Sequence, residues 1–157
     1  MENWRMAWRR GIAPQLSEHD LRVLGKAIYS DDPRLLHGVV CRPVPGRDSG
    51  DCPVLGACAI GYCAAFARGM TLVGEVEEWF STVIREADER LMCGSAACFL
   101  NFWDHGPFGK VRLDLLAEIE TELATREYAE DMAVAAPAPG SRDDSPWEHW
   151  IDEGGEG

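Results

Sequence analysis

The sequence predicts an all-α protein: a compact bundle of five or six helices around a central small-residue-rich helix at about 53–68, with a disordered acidic C-terminal tail. Three observations lead there. Apolar residues recur at helical spacing in several long segments, and no segment alternates apolar and polar residues as a half-buried strand does. Residues 132–157 carry Ala, Pro, Gly and acids with no core-forming stripe. The expected division is therefore a helical domain over 1–131 and an Ala/Pro linker with an acidic, Trp-containing tail over 132–157.

Taken in order, residues 1–10 form a short helix that places Trp4 and Trp8 on one face and Arg5 and Arg9 on the adjoining one, with Gly11 and Pro14 ending it. The two tryptophans are expected to dock on the body. Ser17 starts the next helix, with Asp20 at its third position as in a capping box and Leu21, Leu24, Ala27 and Ile28 as its stripe. DDPRLLHG then reads as one or two helical turns: Asp32 as cap, Pro33 at the first position, Gly38 as the stop. Val39 to Asp51 has no periodicity and reads as a surface loop.

The stretch VLGACAIGYCAAFARG, Val54 to Gly69, has no charge before Arg68. On a helical wheel Leu55, Ala59, Tyr62 and Phe66 share one side, and small residues occupy the other. A helix apolar all round belongs in the middle of a bundle. Thr71 is the expected cap of the following helix, whose stripe is Val76, Phe80, Val83, Ala87 and Leu91, with Glu75, Glu78, Arg85 and Glu89 facing water. After Cys93-Gly94 comes the short apolar segment SAACFLNFWD. HGPFG breaks the chain before a last long helix with the stripe Phe108, Val111, Leu115, Ile119 and Leu123, expected to fray near Tyr128.

The net charge of −12 over 157 residues is concentrated at the end: from Glu127 onward nine acids face one base, Arg142. Nucleic acid and anionic membrane would repel such a chain, so neither is an expected partner. No apolar run reaches the roughly 18 residues of a spanning helix. The start, MENWRMAWRR, lacks the apolar run of a secretion signal, which predicts a cytoplasmic protein whose six cysteines stay reduced. The oligomeric state is left open.

Cys58 and Cys63 are five residues apart and would project about 140° from one another on a helix, so they cannot share a metal ion. Cys58, Cys63 and Cys98 read instead as small buried hydrophobes. The default is no cofactor. The alternative is a zinc site or cysteine-dependent chemistry built from His37, Cys41, Cys52 and His105, residues of ligating type in loops or at helix ends. NFWDHGPFG is the most enzyme-like tract, but Asp104 is expected to cap the helix that follows and His105 to sit in the turn. Glu75, Glu77 and Glu78, then Glu118, Glu120 and Glu122, read as solvated helix faces. No phosphate-loop, dinucleotide, zincin or nucleophile-elbow motif is present.

The sharpest functional hint is in the tail. Trp147, Trp150 and Ile151 are spaced i, i+3, i+4, with Ser145-Pro146 as a helix start and Glu148 and Asp152 supplying charge. The expected function is non-enzymatic: a protein-binding module whose tail docks a protein partner with a basic or apolar groove, one form being an inhibitor of a basic protein.

Overall fold

The computed structural model describes residues 3–46, 50–92 and 94–136. Six α-helices and one two-stranded sheet occur among them. α1 (Asn3–Met6) runs on through a widened, π-type stretch, Ala7–Ile12, into a 3-10 turn at Ala13–Gln15. The helical path therefore passes both Gly11 and Pro14, where it was expected to stop. Gly11 is where it crosses α4 (Val73–Arg90): a Cβ there would lie 3.1 Å from the Cβ of Ala87. Trp4 stacks flat on Phe102 at 3.7 Å, and Trp8 lies against Phe99. Both tryptophans are buried in the body.

α2 (Glu18–Tyr29) begins with the reciprocal cap its sequence announces: Asp20 N–H donates to Ser17 Oγ at 3.0 Å, and Ser17 N–H to Asp20 Oδ2 at 2.7 Å. Leu21, Leu24, Ala27 and Ile28 are buried as their spacing requires. Arg68 also reaches Asp20 Oδ2, at 2.7 Å, so the cap residue doubles as a buried ion-pair partner.

The stretch from Val54 departs from the helix expected over 53–68. Val54–Ala57 is strand β2, paired antiparallel with β1 (Cys41–Pro43), so the all-α expectation is corrected to a mostly helical fold with a small sheet. The helix starts only at α3 (Ala59–Tyr62) and continues as a widened turn over Cys63–Ala67. Its cap is Cys58, whose sulfur accepts from Gly61 N–H. Leu55 is accordingly 46% exposed instead of sharing a buried face with Ala59 and Tyr62. The reason lies in distant partners. Val54 N–H donates to Thr71 O, and Ala57 N–H to Arg34 O. These residues come from segments that periodicity within 54–69 cannot register. For the same reason 32–38 is not a helix: Leu36 N–H donates to Ala57 O, and Leu35 bridges Ala57 as a third, one-residue strand contact.

α4 buries Val76, Val83 and Ala87, and Glu75 rather than Thr71 caps its start, accepting from the N–H groups of Thr71 and Leu72. α5 (Ala97–His105) buries Phe99 and Trp103, and α6 (Phe108–Ala135) buries Val111, Leu115 and Ile119 and passes Tyr128, its expected frayed end. Glu118, expected in water, is 4% exposed and accepts from Arg9 Nε at 2.7 Å and from Arg5 Nη1. The N-terminal helix is thus ionically tied to α6. Residues 1–125 make one unit; the second, 126–157, is described only where α6 ends. No helix among the described residues is long and apolar enough to cross a membrane.

Candidate functional site

The segment Asp31–Gly38 is short of regular structure, yet it is held at nearly every residue. Asp31 takes a left-handed φ of 56° where α2 ends, a conformation Asp tolerates better than most residues. Asp32 then accepts three kinds of bond: from the Arg34 side chain (Nη2 at 2.7 Å), from Arg34 N–H at 2.9 Å, and from the Tyr62 hydroxyl at 2.7 Å. The Arg34 guanidinium, followed by Tyr62, holds the Asp32 carboxyl far below the usual carboxylate range. Burial, reinforced by Asp32, pushes the Tyr62 phenol up to about 12. Arg34 also lies over the Phe66 ring at 4.3 Å, so its plane is clamped from two sides.

At the far end, Arg112 of α6 is buried and gathers the segment's acceptors. It donates to Asp31 Oδ1 at 2.6 Å, to Leu35 O at 2.9 Å and to His37 Nε2 at 3.4 Å, and its guanidinium covers Phe108. His37 stacks on Trp103 at 4.2 Å, and its Nδ1 lies 2.8 Å from Trp103 O. A carbonyl can only accept, so Nδ1 carries the ring proton and Nε2 is left to accept from Arg112. Trp103 Nε1–H donates to Leu36 O, and Gly38 N–H to Asp104 Oδ1.

A hollow opens outward beside the anchored segment. Pro33, Arg34, Leu36, Arg42, Leu55 and Gly56 surround its volume of about 240 Å³ between the segment and the sheet. Arg42 stands opposite Gly56 in the register. Gly56 has no room for a side chain: a Cβ would lie 2.8 Å from Arg34 O and 3.0 Å from the Leu36 side chain. Its absence lets the 34–36 backbone close against β2 and form the floor. The lining is apolar from Pro33, Leu36 and Leu55, and its two charged members are both arginines, in a protein of net charge −12. Arg34 is paired with Asp32, whereas Arg42 makes no ion pair with a described residue. An apolar hollow with a guanidinium on its rim suits an apolar side chain flanked by a carboxylate.

The residues singled out from sequence are placed differently. His37 is the anchor just described. Cys41 is half-buried, 4.0 Å from both Val73 O and Glu77 Oε1, and burial lifts its thiol to about 11. Cys52 is fully buried. His105 is exposed at the end of α5. The four do not converge: among the described residues no three His, Cys, Asp or Glu side chains form a group able to hold a metal ion. Asp104 serves the Gly38 backbone from within α5 and does not cap α6, as it was expected to. Cys58 and Cys63 are buried, with burial pushing Cys58 to about 12 and Cys63 well above the usual thiol value; Cys98 is only half-buried. Trp147, Glu148, Trp150, Ile151 and Asp152 lie outside the described residues. The hollow is not legible in the sequence, apart from one signal: Leu55 and Gly56 sit just after Pro53, where a strand is as natural as a helix start.

The His37 anchor predicts a pH dependence of its own. Burial, and then Arg112, lower its pKa from 6.5 against the opposing pull of the Trp103 carbonyl and Asp104. The unfolded chain therefore binds a proton that the folded one resists, so stability is complete above pH 6.5 and falls as pH drops below it. Asp32 and Glu118, whose pKa values are depressed, lose their contributions only lower, below the ordinary carboxylate range near pH 4. Urea unfolding at pH 7 and pH 5 is expected to show a loss in the wild type that His37→Gln reduces. An equal loss in both proteins would remove His37 as the cause.

Compared with known proteins, the chain matches no family model, and no curated protein and no solved structure is similar to it.

Proposed function

We propose that the protein acts by binding other proteins and not by catalysis, in a reducing compartment such as the cytoplasm. The observation that carries this reading is the anchored hollow with Arg42 and Arg34 on its rim, a receptor for a peptide that presents an apolar side chain beside carboxylates. The acidic tail, with Trp147, Trp150 and Ile151 among Glu148 and Asp152, is the complementary half: a docking peptide for a basic or apolar groove. The state of the described nucleophiles supports a binding role. Cys41, Cys58, Cys63 and Tyr62 are all pushed toward their protonated forms, and both His37 nitrogens are committed to hydrogen bonds. A thiol acts as a nucleophile only as the thiolate.

The test is selection of displayed random peptides on the full-length protein. Enriched sequences are expected to combine an aromatic or branched aliphatic residue with neighbouring Asp or Glu. Their binding should fall at least tenfold on Arg42→Glu and survive Glu89→Lys on the outer face of α4. Failure to enrich any such sequence, or indifference to Arg42→Glu, would overturn the assignment.

A further inference from the structure

We propose that the hollow between β2 and the Pro33–Leu36 segment receives the acidic tail of a second copy of this chain, so that the protein associates with itself tail to body. The inference rests on the binding role proposed above and names the partner.

The complementarity is chemical and specific to two short segments. The hollow offers Leu36, Leu55 and Pro33 as apolar lining, with Arg42 unpaired among the described residues and Arg34 held flat by Asp32 and Phe66. The tail segment DDSPWEHWIDEGGEG offers what such a site takes: Trp147, Trp150 and Ile151 as anchors, with Asp143, Asp144, Glu148, Asp152 and Glu153 around them. Tryptophan anchors and arginine partners are the residue types that dominate binding energy at protein interfaces. The outer face of α4 is a poor receptor for such a segment. It carries Glu75, Glu77, Glu78, Asp88 and Glu89 and would repel the tail. Beyond Ala136 the sequence PAPGSR contains no apolar stripe, and by composition it is a short linker between α6 and the anchors.

A tail-to-body contact joins different surfaces on the two copies. Two copies close into a dimer if they exchange tails reciprocally, and otherwise extend into longer chains. Either way association depends on concentration and weakens with salt, because its charged part is an exposed arginine–carboxylate attraction.

The experiment uses a fluorescent peptide of residues 141–157 as probe and full-length protein carrying W147A and W150A as receptor, which removes competition from the receptor's own anchors. Saturable binding is expected. It should weaken at least tenfold when Arg42→Glu or Leu55→Asp is added to the receptor, and to the same degree when W147A and W150A are placed in the peptide. Both receptor positions are exposed, so circular dichroism should report an unchanged fold. Sedimentation of the wild-type chain is expected to show mass rising with concentration, and Arg42→Glu to hold it as a monomer. A probe that does not bind, or that binds the Arg42→Glu receptor equally well, overturns the inference. If selected acidic peptides bind through Arg42 while the 141–157 probe does not, the hollow is a receptor for another protein: the binding role stands and self-association falls.

Discussion

Replacing Trp8 with alanine is expected to remove about 3–5 kcal/mol of stability, the range for truncating a fully buried aromatic residue. Trp8 has no exposed surface and sits where the widened N-terminal helix, α4 and α5 meet, its ring 5.4 Å from that of Phe99. Alanine would leave a void between elements already pinned by Gly11 against Ala87 and by Glu118 between Arg5 and Arg9, so the surroundings cannot collapse to fill it. Trp8→Phe is expected to cost far less, about 1–2 kcal/mol. The Trp8 Nε1–H is buried with no acceptor among the described residues, so phenylalanine gives up area but also removes an unsatisfied donor. Urea unfolding of the two variants measures the contrast. Equal losses would mean that the indole nitrogen has a partner worth keeping.

Arg112→Ala carries the second large effect, a loss of about 2–4 kcal/mol. Most of it comes from the interior side of the residue. The Leu35 carbonyl loses its donor while buried, and the guanidinium that covers Phe108 disappears. Asp31, 82% exposed, returns to water and contributes little. Lysine should not rescue, because one ammonium cannot serve Asp31, Leu35 and His37 in three directions. The functional consequence separates this residue from the hollow's own lining. Arg112→Ala should reduce both stability and peptide binding, since the Leu35–Leu36 floor is hung from it. Arg42→Glu should abolish binding and leave unfolding unchanged. A variant of Arg112 that binds peptide with wild-type affinity would show that the floor is held by β2 alone.

The His37 pH response belongs to the same anchor. A proton on Nε2 removes the acceptor that Arg112 Nε–H uses and places two cations side by side. The floor of the hollow is therefore expected to loosen in the same pH window in which stability declines.

Local rules were enough for α2 and for the buried stripes of α4 and most of α6. Ser17 and Asp20 meet within four residues, and the stripes of Leu21, Val76 and Leu115 repeat within one or two turns, so the cap of α2 and the buried faces of all three are decided by near neighbours. The acidic tail and its tryptophans were equally plain, because composition alone defines them. Tertiary structure decided the rest. Val54–Ala57 is a strand since its backbone groups are taken by Arg34, Leu36 and Thr71, residues a single-segment pattern cannot see. Glu118 looks like any solvated glutamate until Arg5 and Arg9, more than a hundred positions away in the chain, close over it. The hollow exists because Gly56 lets one backbone lie against another and Arg42 happens to stand across the ladder from it. Charge, caps and stripes are properties of neighbours along the chain, and the sequence determines them directly. A receptor surface is a property of neighbours in space, and here it came into being only when Asp31–Gly38 was pinned between β2, α5 and α6.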